Sequence, residues 1–178
     1  MNENPLVAGY ELPHWAELRK LIAEKDETYV LGANDSGKTE LAGKLAVEVL
    51  TGRMRWPGQH AGAPKVLLVS QGDDASKQFQ QPSVYKYLPP VFKELNERQV
   101  RKRSVTTKVN YSQAGGFTEG TFVLPTQAQC WFKTSEQYNR NPGSFEGPAY
   151  HLVIIDEPAP LGLVQTLAFR AAKVGGKL

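Results

Sequence analysis

Eight consecutive residues, Gly32-Ala-Asn-Asp-Ser-Gly-Lys-Thr, constrain this 178-residue chain more than any others. Gly32, Gly37, Lys38 and Thr39 fit the pattern G-x-x-x-x-G-K-[ST], in which a glycine-rich loop joins a strand to a helix. The flanks suit that arrangement. A short apolar run, Tyr29 to Leu31, leads in and is expected to be a strand. After the loop, Leu41, Leu45 and Val49 fall on one face of an expected helix, with Gly52 as its C-terminal cap. In such a loop the glycines let backbone N–H groups turn inward toward an anion, and the positive end of the next helix adds to the attraction. The residues expected around the phosphates of ATP are therefore Gly32, Asn34, Asp35, Ser36, Gly37, Lys38 and Thr39. Lys38 is expected to reach the β- and γ-phosphates, and the Thr39 hydroxyl to hold Mg²⁺. The plain alternative is a glycine-containing turn that merely starts a helix.

A second chemical element lies more than a hundred residues later. In His151-Leu-Val-Ile-Ile-Asp-Glu, four apolar residues end in two carboxylates. An apolar run without alternation suits a parallel strand buried on both faces. The C-terminal ends of such strands open onto the crevice where ligands bind in open α/β sheets. Asp156 is then placed to face a Mg²⁺ held by Thr39. Glu157, on the other side of the strand, is placed to orient or deprotonate a water. Lys65-Val-Leu-Leu-Val-Ser is a second run of the same kind, and Ala128 to Thr134 a third strand.

Between these elements the chain is expected to run as follows. Residues 1 to 11 form a loose lead-in. Pro13 starts a helix carrying Trp15, Leu18 and Ile22, packed beside the loop; Trp15 suits a core position, with contact to a base as the alternative. Glu40 and Lys44 are spaced as a helical ion pair. Residues 53 to 64 read as a surface loop, and Pro82 should break or kink the helix that begins near Gly72. Val91 to Glu97 would form a short helix. Arg98, Arg101, Lys102 and Arg103 are the densest basic cluster, a solvated edge or a surface for a phosphate backbone or a neighbouring subunit. Val105 to Asn110 and Gly120 to Leu124 look like an inserted hairpin around Gly115-Gly116. Residues 135 to 149 read as a loop containing Arg140.

Composition excludes several classes. A net charge of +3, from 21 basic and 18 acidic residues, is too small to argue for nucleic acid by itself. No stretch of 18 apolar residues suggests a membrane span, and the N-terminus lacks a signal-peptide pattern, so the expected location is cytoplasmic. Cys130 has no partner for a disulfide. His14, His60 and His151 make no metal-binding pattern and are expected to be structural or exposed.

Four features together resemble the N-terminal packaging-ATPase domain of the large terminase subunits of tailed bacteriophages. The loop is close to G-G-N-x-S-G-K-T. Thr51-Gly-Arg follows the next helix, with Trp56-Pro57 beyond. Phe132-Lys-Thr-Ser-Glu-Gln precedes Phe145-Glu-Gly, and the Asp156-Glu157 strand follows at the expected distance. The resemblance covers most of residues 13 to 170. It implies an α/β fold of the P-loop NTPase class, of the additional-strand (ASCE) type. That fold has a mostly parallel central sheet flanked by helices, here with a small β-hairpin insertion. It implies Mg²⁺-dependent ATP hydrolysis driving double-stranded DNA into a procapsid, in the cytoplasm of an infected bacterium. Implied partners are a portal protein, a small terminase subunit and further copies of the chain in a ring.

Two departures from the family stand out. Asp35 and Glu146 occupy positions where many or some terminases carry arginine, so no motif places an arginine finger. Arg140 is the candidate, with Arg101 and Arg103 behind it. The chain also reaches Leu178 about where a further core strand and then a nuclease domain would follow, so residues 1 to 178 are expected to be one truncated ATPase domain. A helicase-like translocase and a non-hydrolytic nucleotide-binding assembly module are the alternatives.

Overall fold

The computed structural model describes residues 6, 11–32, 36–93 and 109–178. In chain order these form α1 (Pro13–Glu24), α2 (Lys38–Leu50), β1 (Lys65–Ser70), α3 (Asp73–Ala75), a π-helical turn (Ser76–Gln80) and α4 (Gln81–Tyr87). There follow β2 (Tyr111–Ser112), β3 (Gly116–Phe117), β4 (Thr121–Val123), β5 (Gln129–Thr134), α5 (Ser135–Arg140), β6 (Leu152–Ile155) and α6 (Leu161–Ala172). The central sheet has the order β4-β5-β1-β6. β1 runs parallel to both β5 and β6, with Leu67 opposite Trp131 on one side and Val153 on the other. Only β4 is antiparallel.

The apolar runs read from the sequence are continuous because both faces of the sheet are covered, which is the usual burial of parallel strands. Alternate residues of one strand enter different cores. Val66, Leu68, Cys130, Phe132 and Leu152 join Leu41 and Leu45 of α2, Trp15 of α1 and Val84 of α4. Leu67, Val69 and Val153 join Phe145, Tyr150 and α6 residues Leu163 and Leu167. α1 begins at Pro13 as expected, and Gly52, at φ +72°, takes the left-handed conformation after α2. His151 is buried, its Nδ1 accepting the Lys65 N–H at 3.1 Å, which is a structural role.

Several expectations give way. No strand forms at Tyr29 to Leu31, where Tyr29 is 76% and Leu31 96% exposed. A strand needs a backbone neighbour, and the one supplied among the described residues is Lys177-Leu178, which reaches no further than Asp26 and Thr28. Leu178 N–H donates to Asp26 O, and Thr28 N–H donates to Leu178 O, at 3.0 and 2.9 Å. Residues 135 to 149 are not simply a loop. Thr134 and Gln137 form a reciprocal capping box that starts α5, and a 3₁₀ turn follows at Pro142–Phe145. That Thr-x-x-Gln spacing was visible in the sequence.

The hairpin pairs other residues than expected. β2 pairs with β3, whereas β4 joins β5, and Phe122 and Phe132 both pack against Phe117. Pro82 does not break its helix. The π-helical turn ahead of it offsets the hydrogen-bond ladder, so the proline sits in the first turn of α4, where its missing N–H is tolerated. Trp56 is buried rather than on a surface loop and donates to Gly175 O. Leu6, within the expected lead-in, is buried in the core. Most of Val105 to Asn110, the end of the expected Val91 to Glu97 helix and the cluster at Arg98, Arg101, Lys102 and Arg103 lie outside the described residues.

α2 and α4 cross closely at Gly43, where an added Cβ would sit 2.8 Å from the Ser83 carbonyl carbon. Gly43→Ala should therefore destabilise the fold by about 1–3 kcal/mol, the usual range for overpacking, despite alanine's better helix propensity. Urea denaturation of the two proteins measures the difference.

Candidate nucleotide site

The site is built where α2 starts and β6 ends. Gly37 precedes α2 with φ +81°, a conformation that disfavours side chains, and its Cα faces the Trp15 ring: an added Cβ would lie 3.2 Å from Trp15 Cζ2. Trp15 is thus the wall behind the loop, in the core position expected of it. The first-turn N–H groups of α2, from Lys38 onward, have no intrahelical carbonyl to bond and point out of the helix start. Lys38 Nζ donates to Gly32 O at 2.7 Å and to Ser36 Oγ at 3.3 Å, so the ammonium lies across the loop it follows. Asn34 and Asp35 lie outside the described residues.

The two distant chemical elements meet. Thr39 Oγ1 donates to Asp156 Oδ2 at 2.8 Å. The even residues of β6, Leu152 and Ile154, pack on the α2 side, so the next even position, Asp156, projects to the same side. Glu157 departs from it: its Oε2 accepts the backbone N–H of Gln71, just past the end of β1, at 2.5 Å. Lys38, Asp156 and Glu157 line one cavity of about 500 Å³. The Thr39–Asp156 separation suits a shared Mg²⁺, since neighbouring oxygens of an octahedron with bonds of about 2.1 Å lie roughly 3 Å apart. No group of three acidic, histidine or cysteine side chains that could hold a metal occurs among the described residues. A single carboxylate and a hydroxyl, completed by phosphate and water, are the donors available, which is how Mg²⁺ is commonly held.

Arg140 is not brought into this cluster by any contact the structure gives. It projects from the end of α5 at 80% exposure, 3.6 Å from Glu136 one turn earlier.

Three supporting residues escaped sequence reasoning. Gln71 presents the N–H that orients Glu157, and a backbone donor leaves no sequence signal. Ser83 donates from α4 to Thr39 O at 3.2 Å. Glu40, next to Thr39, does not pair with Lys44. It accepts from Tyr87 at 2.8 Å and from Lys86 and Ser83, all of α4. Lys44 turns instead toward Glu11 and the Trp15 ring, and burial lowers its pKa. Burial pushes the Glu40 carboxyl up, but the bonds from Lys86 and Tyr87 outweigh it and hold the group below its usual value. Burial, with the Glu40 hydrogen bond, raises the Tyr87 phenol.

The large terminase ATPase domain of Thermus phage P74-26 matches at a TM-score of 0.64 and 14% identity, over 99% of this chain and 66% of that one. This chain has the fold of a phage large-terminase ATPase domain. It spans about two thirds of that domain's length. No protein-family model and no curated protein matches the sequence. No described helix is long and apolar enough to cross a membrane.

Because its folded pKa is depressed, Glu40 adds stability that is present above the unfolded value of 4.5 and is lost as pH falls through the lower folded value. Glu40→Gln should remove that part of the acid destabilisation. Urea midpoints from pH 6 down to about pH 3 should fall less steeply in the variant than in the native chain.

Proposed function

We propose that this chain is a Mg²⁺-dependent ATPase domain of the additional-strand P-loop type, working in a viral DNA-packaging motor. The observation that carries this is the 2.8 Å contact between Thr39 and Asp156, which brings the loop and the carboxylate strand to one cavity. The strand arrangement supports the subtype: Lys177-Leu178 lies between Asp26–Thr28 and β6, the place of the extra strand.

ATP would bind with its phosphates over the start of α2. Lys38 would exchange Gly32 O and Ser36 Oγ for phosphate oxygens and offset charge developing there in the transition state. Gly32, Asn34, Asp35, Ser36 and Gly37 would supply the cradle. Thr39 and Asp156 would hold Mg²⁺, which when bound neutralises phosphate charge. Glu157, fixed by the Gln71 N–H, would orient the attacking water and accept its proton as the bond to the γ-phosphoryl group forms and ADP leaves. Among the described residues Arg140 pairs with Glu136 on its own helix, an exposed and weak interaction it can give up. It is our candidate for a finger reaching the site of an adjacent subunit.

In this reading the domain works as a ring of copies on a portal, with a small terminase subunit, moving double-stranded DNA into a procapsid in the bacterial cytoplasm. The fold shared with the phage terminase domain supports it.

Glu157→Gln should bind ATP as the native chain does, with turnover reduced at least about a hundredfold; unchanged steady-state hydrolysis would remove Glu157 from this role. Lys38→Ala should lose ATP binding itself, measured by titration calorimetry. Arg140→Ala should keep ATP affinity and lower only the turnover that rises with protein concentration, on the order of 10³-fold for a finger given in trans.

A further inference from the structure

One short segment reaches the backbone behind both partners of the Thr39–Asp156 contact. Gln80 and Ser83, at its two ends, are buried, with 2% and 6% exposure. Gln80 Nε2 donates to Val69 O at 3.1 Å. The same carbonyl accepts the Asp156 N–H, also at 3.1 Å. Ser83 Oγ donates to Thr39 O at 3.2 Å. Each residue that would hold Mg²⁺ is therefore anchored, directly or through one shared carbonyl, by a side chain of residues 80 to 83.

The local backbone lets both side chains reach. The π-helical turn Ser76–Gln80, with i→i+5 bonding, ends at Gln80, and α4 carries Ser83. Gln81 fixes the turn. Its Nε2 donates to Ser76 Oγ, five residues back, at 3.1 Å, and its Oε1 accepts the Phe117 N–H at 2.7 Å. Such turns are frequent at functional sites. Gln80 adds a second observation. Val69 O can only accept, so the NH₂ end of the amide faces it. That leaves Gln80 Oε1 buried and without a hydrogen-bond partner among the described residues. A buried unsatisfied oxygen is destabilising, and an apolar side chain of similar size would avoid it, so fold stability does not account for the amide.

We infer that Gln80 and Ser83 are positioning residues for a magnesium site at Thr39 and Asp156, clamping the backbone of both from one helical segment. This rests on the reading of Thr39 and Asp156 as Mg²⁺ ligands. Mg²⁺ demands near-octahedral geometry with bonds of about 2.0–2.1 Å, so its ligands tolerate little relative displacement. Thr39 lies on α2 and Asp156 at the end of β6, and residues 80 to 83 join the carbonyls that anchor them. Loss of groups that orient metal ligands commonly lowers metal affinity about 10- to 100-fold.

The test titrates ATP into the 178-residue chain by calorimetry at a series of Mg²⁺ concentrations, with urea denaturation of the nucleotide-free chain beside it. Gln80→Met keeps a side chain of similar size that cannot donate. The Mg²⁺ concentration giving half the gain in ATP affinity should rise at least about tenfold in this variant. Its ATP affinity without Mg²⁺ should stay native, and its urea midpoint should hold or rise, because the orphaned oxygen is gone. Ser83→Ala should show the same Mg²⁺ shift, and it carries the test if Gln80→Met does not fold. Trp56→Phe, weakened outside this segment by loss of the bond to Gly175 O, should lower the urea midpoint and keep the native Mg²⁺ dependence. Lower urea midpoints in Gln80→Met and Ser83→Ala with native Mg²⁺ dependence would overturn the inference and assign both residues to fold stability. A Mg²⁺ shift of the same size in Trp56→Phe would overturn it as well. ATP affinity of the native chain that ignores Mg²⁺ would refute the magnesium reading itself, and the clamp with it.

Discussion

The hydrogen bond from Thr39 Oγ1 to Asp156 Oδ2 depends on every larger feature of this fold. It requires β6 in register beside β1, and α2 packed on one face of that pair. It also requires that the strand direction put the carboxylate at the end where α2 begins. The double burial of β1 and β6 enforces this. Alternate side chains are committed to two different cores, so a slip of one residue would move Asp156 to the wrong face and bury polar groups in both. The site's accuracy is thus inherited from packing many residues away.

The start of α2 is held from three directions. Trp15 closes against Gly37, Ser83 reaches the Thr39 carbonyl, and Glu40 is gripped by Tyr87 and Lys86. The other end of the loop has none of this. Tyr29 to Leu31 lead into Gly32 exposed and, among the described residues, without a sheet neighbour. One arm of this glycine-rich loop is fixed by helix packing, while among the described residues the other is tied to the sheet through Leu178 at Asp26 and Thr28.

Much of this was legible in the chain. Uninterrupted apolar runs at 65 to 70 and 152 to 155 announced strands covered on both faces, and Leu41, Leu45 and Val49 announced the helix between them. The glycine-lysine-threonine loop and the Asp156-Glu157 pair marked the two segments that meet at the cavity. What misled was local. Tyr29 to Leu31 has strand composition, yet composition cannot supply the neighbour a strand needs. The Thr134 and Gln137 capping signal stands just ahead of a run of asparagine, proline and glycine, whose composition reads as loop. Glu40 and Lys44 have ideal helical spacing, but stronger partners on α4 and α1 took both.

The amino-acid sequence determined the chemistry available: which residues can bend around an anion, carry a positive charge to it, and offer a hydroxyl and two carboxylates. It determined this because such properties reside in single residues and short spacings. Tertiary structure alone decided that Thr39 and Asp156 touch, that the Gln71 N–H restrains Glu157, and that Leu178 joins Asp26 and Thr28 to the sheet. Those are relations between segments far apart in the chain, set by which strand lies next to which, and no local pattern encodes them.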